Sequence, residues 1–562
     1  MGHLSGHQAR LIGKVGRDRI EWTRGRGDAA VSRTKIDDSR DLAGFGYRQE
    51  LDRSLGSFSS FAAGFSYISI LTGVFQMFSL GFAAAGPAFF WTWPVVFLGQ
   101  LTVGLGFAEL AAHYPLSGGL YQWSRRIGSP ALGWIAGFVY LASSLLSLAV
   151  VALALQATLP QIAPVFQLIG DGANPVDRAR NAVFLGCVLI GLTTAINAAG
   201  VRLLARINNV GVFAELLGVA LLIILLLARA RRGPSVLFQI QTPGRAGSGS
   251  AAWLSALFAA AVMPSYVLYG FDTAGTLAEE TRDPRRRAPW AILRAISAAG
   301  LAGALLIIAG LLAVSDPAMP ELGEITGGLP LIVKQSLGPE LGNVFLGAVI
   351  FAVTVCALAV QAGTVRLIFA MARDNSLPCA RILARVQHET RTPIVPALVT
   401  GAAAALILLI NMNMPRIMET LCSLAIVWAN LAYLMVSFPL LLARLRGWPH
   451  RLAVESRAIP AASAVRPFAL GRWGLGLNIV SVFWGLMVIV NMSWPREEIY
   501  GADQWGRFAA VLATTGLVGV GAVLYLAVRR RGTEILTEHA ASIVPAPDSG
   551  QPIAPLRPVP AD

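Results

Sequence analysis

Apolar segments long enough to cross a membrane recur along most of this 562-residue chain. Because a helix needs about 20 apolar residues to cross the hydrocarbon core, these segments constrain the fold more than any single motif does. Only 14% of the residues are charged, which is well below the fraction usual in soluble domains. The sequence predicts an all-α integral membrane protein with twelve transmembrane helices, near 58–81, 87–110, 131–157, 181–199, 208–228, 252–277, 289–314, 341–365, 393–411, 417–442, 474–491 and 508–528.

The basic residues predict the orientation of these spans. When both ends of the chain are placed inside, the inner segments hold 35 of the 45 Lys and Arg, as the positive-inside rule requires. This distribution explains the net charge of +14 without a nucleic-acid-binding face, so we expect no nucleic acid as a partner. We expect a multi-pass protein of the cell membrane, embedded in the lipid bilayer. Its cytosolic tails, 1–57 and 529–562, are predicted to be largely disordered because they are polar or Pro-rich.

The first and sixth spans share an unusual composition. The first reads FAAGFSYISILTGVFQMFSLGF and the sixth reads AVMPSYVLYGFDTAGTL, and each carries Ser, Tyr and Gly in mid-span. Two Gly-interrupted segments that lie five spans apart cross in opposite directions, which is typical of an inverted repeat with discontinuous helices at its binding site. We therefore predict repeats at 58–228 and 252–442, followed by two further spans within 474–528.

The predicted breaks offer binding groups for a small zwitterion. Unwinding at Ile70, Leu71, Thr72 and Gly73 would present backbone N–H groups to a carboxylate at the positive end of a half-helix. Carbonyl groups released in the sixth span would accept hydrogen bonds from an ammonium group. The candidate substrate-binding residues are Ser69, Ile70, Leu71, Thr72, Gly73, Ser265, Tyr266, Tyr269 and Gly270.

Asp272 follows the second break closely. A charged side chain at the bilayer centre costs about 2.5–3.5 kcal/mol on insertion scales, so it normally has a partner or a function. The sequence leaves two roles open for Asp272, a proton-linked gate and the N-cap of the second half-helix.

Glu215 and Thr354 are further candidates for ion coupling or gating. Asn208, Gly211, Glu215 and Gly218 have a 3-4-3 spacing that places them on one face of the fifth span. Glu215 is therefore a candidate proton carrier or cation ligand, or else a neutral group bonded to a neighbouring helix. Thr354 shares a face of the eighth span with Gln361, where interhelical hydrogen bonding is the alternative role.

Nothing in the sequence indicates an enzyme. The chain contains no GxSxG, HExxH or Walker A motif, and its four Cys residues form no CxxC pair. We therefore predict no catalytic residue, no cofactor and no metal site.

Several stretches resemble one known family. PLSGGLYQWSRRIG (115–128) and GFDTAGTLAEETRDPRRRAPWAI (270–292) resemble two signatures of the amino acid–polyamine–organocation superfamily. GYRQELDRSLGSFSSFAAGFSYISILTGVF (46–75) and FAMARDNSLP (369–378) are similar to its amino acid/choline transporter branch. The resemblance implies a LeuT-type fold of five-plus-five inverted repeats with two extra C-terminal helices. It also implies secondary transport of amino acids or related amines.

The resemblance also suggests roles for individual residues. Leu71-Thr72-Gly73 matches the family's carboxylate-binding Gly-Ser-Gly loop, with Leu in place of the first Gly. Tyr266 resembles an aromatic lid over the substrate, and Asp272 matches an acidic gate position. Glu215 lies at or near a site where several relatives carry a Lys in place of a bound sodium ion.

The expected function is that of a permease that moves an amino acid or a small amine such as γ-aminobutyrate together with a proton. Sodium remains open as the coupling ion, because an acid at position 215 reverses the charge found in those relatives. A choline or polyamine permease and an amino acid exchanger are alternative transporters. A sensor that binds an amino acid without moving it, and a membrane-embedded enzyme, are alternatives of other classes.

Overall fold

The computed structural model describes residues 41–240, 250–324, 327–387, 389–414, 417–449, 467–496, 500, 504–529 and 535–541. Regular structure in these residues is helical, apart from two isolated β-bridges, Tyr47 with Ala540 and Leu55 with Thr281. The α-helices are α1 (Ser57–Ile68), α2 (Ile70–Ala85), α3 (Thr92–His113), α4 (Gly119–Ile127), α5 (Pro130–Ile162), α6 (Pro175–Ala199), α7 (Val201–Ala228), α8 (Ser250–Ala260), α9 (Val262–Val267), α10 (Thr273–Thr276), α11 (Pro284–Ala313), α12 (Gly328–Leu337), α13 (Pro339–Arg373), α14 (Ile394–Ile410), α15 (Ile417–Leu445), α16 (Gly474–Ser493) and α17 (Ala509–Arg529). Single helical turns lie at Ala380–Leu383 and Gln504–Arg507, and 3₁₀ turns at Gly86–Trp91, Pro164–Phe166, Pro234–Phe238, Ala278–Glu280, Pro320–Gly323 and Gly471–Trp473.

The helices have the length and composition of membrane spans. Within the described residues, nine helical stretches are long and apolar enough to cross a membrane, and the first, Ser57–His113, includes two of the predicted spans. Two shorter apolar helices, Trp253–Val267 and Ile394–Ile410, lie where the sixth and ninth spans are predicted. The chain is thus a multi-pass membrane protein whose regular structure, over the described residues, is helical. The count of twelve spans stays a prediction.

Helix α7 shows how the apolar surface is divided between the protein core and the surroundings. Its exposed side chains follow a helical period, with Val210, Phe213, Leu217 and Ile224 between 60% and 66% exposed. Its opposite face buries Asn208, Gly211 and Glu215, the polar stripe that the sequence predicts. An apolar face without a protein partner is the surface that lipid covers in a membrane.

Both halves of the first and sixth predicted spans lie at the centre of the bundle. Helix α9 packs on α2, and α10 packs on α1, so the two interrupted helices lie against each other. Helices α7 and α13 contact both α1 and α2, and α5 and α15 pack on each other beside them. This arrangement brings the candidate site residues of the two spans together.

The residues 315–340, predicted to be the longest outer loop, contain a helix. Helix α12 and the 3₁₀ turn Pro320–Gly323 both pack on α2. The Nζ of Lys334 donates to the carbonyl oxygen of Gln161 at 2.6 Å, which ties α12 to the end of α5. This segment covers the end of α2 that is remote from α1.

Two of the family-like motifs meet at the opposite end of the bundle. Tyr121, Gln122 and Arg125, from the stretch 115–128, all donate hydrogen bonds to the buried carboxylate of Asp374, which lies in the stretch 369–378. The Tyr121 bond is 2.9 Å long and the Gln122 bond 3.1 Å. A buried carboxylate requires this number of donors, because it has left water on all sides.

Two buried ion pairs lie beside this cluster. Arg366 binds both carboxylate oxygens of Glu280, at 2.7 and 3.1 Å. Arg373 binds both oxygens of Glu279, at 2.8 and 2.5 Å, and the backbone N–H of Ser117 donates to the same carboxylate. All four charged side chains are at most 2% exposed. The pairs therefore connect α13 to the segment that follows α10.

Residues 41–56 differ from the expected disorder of the predicted tail 1–57. Tyr47 donates to Asp374 at 2.9 Å, and Leu55 exchanges backbone hydrogen bonds with Glu280 and Arg282. Burial and the neighbouring carboxylate of Asp374 raise the pKa of Tyr47, so its hydroxyl stays protonated and able to donate. Residues 1–40 lie outside the described residues.

Residues 535–541, part of the second predicted tail, are also packed. Ala541 N–H donates to the Gly46 carbonyl at 3.0 Å, and Leu536 N–H donates to the Arg373 carbonyl at 2.9 Å. His539 Nδ1 lies 2.8 Å from the carboxylate of Glu50. The segments 41–56 and 535–541 thus contact each other. We call the end of the bundle that these two segments cover the "tail face".

Breaking one buried ion pair should destabilise the protein. In Glu280→Gln the charge of Arg366 stays buried without its carboxylate, and we expect a loss of about 3–5 kcal/mol in the free energy of unfolding. Denaturant unfolding of the purified protein in detergent measures the change. The control is Arg202→Gln, since Arg202 is 79% exposed in its pair with Asp52, and it should cost less than about 1 kcal/mol. Equal losses for the two variants would contradict the prediction.

Candidate functional site

The first interrupted helix changes direction at one residue, Ser69. Its backbone has φ 35° and ψ 101°, so α1 ends and α2 begins there. The sequence predicts unwinding at 70–73, and the structure instead makes these residues the first turn of α2. Ser69 explains the shift, because its carbonyl accepts the Gly73 N–H at 2.9 Å and its hydroxyl accepts the Thr72 N–H at 3.4 Å, as an N-cap does.

Glu215 of α7 occupies the N-terminus of α2. Its Oε1 accepts the backbone N–H of Leu71 at 3.0 Å and lies 2.9 Å from the hydroxyl oxygen of Ser69. The side chain is 3% exposed, and its Oε2 has no hydrogen-bond partner among the described residues. The sequence predicts that a ligand carboxylate binds at the N-terminus of α2. In the structure the carboxylate of Glu215 occupies this anion-binding position.

The second interrupted helix opens between α9 and α10. Residues 268–272 lie outside both helices, and Gly270 has φ 89°, a left-handed conformation that favours glycine. Its N–H donates to the hydroxyl oxygen of Tyr433 at 2.8 Å. In the described part of the chain, no backbone N–H donates to the carbonyl groups of 265–269. These carbonyl groups are the free acceptors that the sequence predicts, although Ser265 and Tyr266 still belong to α9.

Asp272 is bonded to two tyrosines. The hydroxyls of Tyr140 on α5 and Tyr433 on α15 donate to its Oδ1 at 2.8 and 2.6 Å. The side chain is fully buried, and its Oδ2 lacks a partner among the described residues. Asp272 stands at the N-cap position of α10, but its carboxylate makes no capping hydrogen bond. The side chain instead links α10 to two neighbouring helices.

A small aromatic cavity lies between the two interruptions. Tyr67 and Tyr266 lie edge-on to Tyr269, with ring centroids 6.1 and 5.8 Å away. The hydroxyl of Tyr269 is 2.6 Å from Ser147 Oγ, which fixes this ring against α5. The cavity is lined by Tyr67, Ile68, Thr72, Gly73, Ser147, Val151, Tyr266, Tyr269, Cys356 and Val360.

Thr354 is placed away from this cavity. It is half-buried, and its hydroxyl donates to the Ile350 carbonyl of its own helix at 3.0 Å. Cys356, two residues further along α13, lines the cavity, and its thiol lies 3.4 Å from the Tyr67 carbonyl oxygen. The coupling or gating role of Thr354 stays a prediction, and Cys356 is the residue of the two that lines the cavity.

Five polar residues of the site, Tyr67, Tyr140, Ser147, Cys356 and Tyr433, were not among the sequence candidates for binding or coupling. Tyr140, Ser147 and Tyr433 belong to polar stripes on the third and tenth spans, which the 3.6-residue period identifies as inward-facing. Cys356 carries no such signal, because a buried Cys usually serves as a small apolar side chain. The described residues contain no group of three His, Cys, Asp or Glu side chains that could hold a metal ion.

A methyl group at position 270 should disturb the site. An added Cβ would lie 1.9 Å from the Tyr67 ring, and the residue has a positive φ. The left-handed backbone and the overpacking together predict that Gly270→Ala lowers the free energy of unfolding by about 2–5 kcal/mol. Denaturant unfolding in detergent measures it, with Gly347→Ala as the control, because no atom lies within 4 Å of a Cβ at that position. A stability like that of the control would show that the ring moves aside.

The chain is similar over most of its length to proteins named as permeases and transporters. It is 26% identical to the Amino-acid permease BAT1 of Arabidopsis thaliana, over 85% of this chain and 92% of that protein. It is 26% identical to the GABA-specific permease of Saccharomyces cerevisiae, over 72% of this chain and 71% of that protein. The Choline transporter of the same yeast is 24% identical, over 79% of this chain and 76% of the relative.

The family model described as Amino acid permease matches residues 55–519. The match includes both interrupted helices, Glu215, Asp272 and the motifs that meet at the tail face. Its relatives are named for transport rather than for catalysis. The chain therefore belongs to the amino acid permease family of the amino acid–polyamine–organocation superfamily.

Proposed function

We propose that the protein is a secondary active transporter that moves an amino acid or a small amine, such as γ-aminobutyrate, across the cytoplasmic membrane by alternating access. The observation that carries this proposal is the pair of helix interruptions, which pack together around an aromatic cavity. Irregular backbone at membrane depth is tolerated only where it is buried in protein or lines a cavity. In transporters built from inverted repeats, the substrate binds at such interruptions near the bilayer midplane.

A second cavity supports a route from the site to the tail face. It lies among α1, α7 and α13, and its lining includes Asn208, Glu280 and Arg366. Asn208 is two helical turns, about 10 Å, from Glu215 along α7. A substrate released from the central cavity towards the tail face would enter this space, where the Glu280–Arg366 ion pair forms part of the lining. With both tails in the cytosol, this is the inward route.

Asp272 is the proposed coupling group, and a proton is the proposed coupling ion. Its carboxylate holds α10 to α5 and α15 through Tyr140 and Tyr433. Protonation would remove the negative charge that these hydroxyl groups face, and would weaken the bonds that hold the half-helix in place. A sodium ion is the competing coupling ion, and obligatory exchange is the competing mode of transport.

Purified protein in liposomes tests the transport proposal. With a pH gradient, acid outside, we expect accumulation of at least one member of a panel of radiolabelled amino acids and amines. Accumulation should collapse when a protonophore removes the gradient, and a sodium gradient alone should not replace it. Saturable binding without any flux would favour the sensor instead, and neither binding nor flux would contradict the proposal.

Asp272→Asn should separate binding from coupling. The amide oxygen can still accept from both tyrosines, but the side chain can no longer take up a proton. Since coupling between two sites is typically worth a factor of 5–150, we expect the stimulation of uptake by an inward proton gradient to fall by about tenfold. Substrate affinity should stay close to that of the unmodified protein.

Glu340→Gln is the matched control for this variant, because it removes an exposed carboxylate in the first turn of α13. It should leave both uptake and its pH profile unchanged. An unaltered pH profile in Asp272→Asn as well would remove Asp272 from the coupling mechanism.

A further inference from the structure

Three of the four backbone N–H groups in the first turn of α2 have partners within the protein. Such groups at a helix N-terminus normally lack partners and attract anions. Here the Leu71 N–H is bonded to Glu215, the Thr72 N–H to the Ser69 hydroxyl, and the Gly73 N–H to the Ser69 carbonyl. A substrate carboxylate would have to displace that of Glu215.

Glu215 is held firmly in this position. It lies on the buried face of α7, which contacts α1, α2 and α13. One turn earlier, a Cβ on Gly211 would lie 2.5 Å from the side chain of Val355, so glycine allows α7 to approach α13 closely. Displaced from α2, the Glu215 carboxylate would be buried without donors, an unfavourable state in a membrane.

The groups near the cavity suit a positive charge. Neither Glu215 nor Asp272 lines the cavity, but Glu215 bonds to Leu71, which precedes the lining residue Thr72, and Asp272 is three residues after the lining residue Tyr269. Glu215 Oε2 and Asp272 Oδ2 are buried and lack partners among the described residues. No Lys, Arg or His lines the cavity or bonds to either carboxylate in the described part of the chain. Three tyrosine rings line the cavity, and their faces attract organic cations.

We infer that Glu215 is a built-in substitute for the substrate carboxylate, and that the protein selects small organic cations that carry no carboxylate of their own. This inference rests on the proposed transport function and narrows its substrate class from amino acids and amines to amines. Glu215 acts as the specificity-determining residue. It occupies the anion-binding position at the N-terminus of α2 and excludes a second carboxylate by repulsion.

Matched pairs of substrates test the inference in the unmodified protein. Choline and glycine betaine share a quaternary ammonium group, and 4-aminobutan-1-ol and γ-aminobutyrate share a primary one. Within each pair, only the second compound has a carboxylate. Because like charges placed together in a buried site are strongly unfavourable, we expect uptake into liposomes to favour the cation of at least one pair by about tenfold or more.

Two substitutions test the role of Glu215. Glu215→Ala empties the anion-binding position at the N-terminus of α2, so the zwitterion should be taken up faster. The ratio of cation uptake to zwitterion uptake should therefore fall by about tenfold or reverse. Glu215→Gln keeps an oxygen for the Leu71 N–H but loses the charge. It should reduce cation uptake without raising that of the zwitterion, and it keeps the test valid if Glu215→Ala does not fold.

Asn478→Ala is the control for the loss of a buried polar contact outside the site. Its side chain donates to the Ser437 carbonyl at 3.0 Å, between α15 and α16. Any loss of uptake should be equal for both members of a pair. The measurement is therefore the ratio of the uptake rates of the cation and the zwitterion in each pair. A merely structural role of Glu215 would not change this ratio.

Two results would overturn the inference and leave the proposed function intact. One is uptake of the zwitterion at least as fast as the cation in both pairs by the unmodified protein. The other is an unchanged ratio in both Glu215 variants. No uptake of any compound, in these pairs or in the wider panel, would instead contradict the proposed function.

Discussion

The central constraint on this structure is that backbone polar groups deep in the protein need partners where a helix is interrupted. Ser69 interrupts the first span, and the freed N–H groups of α2 are satisfied by Ser69 itself and by Glu215. In hydrocarbon an unsatisfied group costs several kcal/mol, so this interruption depends on the position of α7. The close approach of α7 to α13 at Gly211 is therefore part of the same arrangement as the site.

The second interruption is satisfied in a different way. Tyr433 accepts the Gly270 N–H and donates to Asp272, so a single hydroxyl supports both the backbone and the carboxylate. Each interruption thus lies beside a buried carboxylate, Glu215 at the first and Asp272 at the second, and each carboxylate has one oxygen without a partner among the described residues. The proposed selectivity for organic cations rests on these two acids.

One short segment connects the site to the tail face. Between Gly270 and Arg282 the chain passes from the site, through α10, to Glu279 and Glu280 in their buried ion pairs. Asp374 directly follows Arg373, the last residue of α13, so the pair with Glu279 lies next to the hydrogen bonds that hold residues 41–56. Asp272 is therefore close, along the chain, to the two acids of the buried ion pairs at this face. The family-like stretches 115–128 and 369–378 meet at the same face through the hydrogen bonds to Asp374.

Local signals in the sequence predicted several of the residues that the fold brings together at the two interruptions. A Gly at a left-handed position, a carboxylate in an apolar span and a 3-4-3 polar stripe are visible in neighbouring residues, and they identified Gly270, Asp272 and Glu215. Such signals are absent where a residue's role depends on which face a neighbouring helix presents. Thr354 and Cys356 lie two residues apart on α13, and only the packing of α13 on α1 and α2 determines that Cys356 faces the cavity.

The sequence by itself determined that this protein is a helical membrane protein, that two of its spans are interrupted, and that buried acids lie near the interruptions. Length, apolar composition and residue spacing carry that information, because each acts within a single helix. Only the tertiary structure decided that Glu215 occupies the anion-binding position at the N-terminus of α2, that Asp272 binds two tyrosines, and that parts of both tails are packed. These are contacts between residues tens to hundreds of positions apart, and no local pattern specifies which helix a buried polar group will meet.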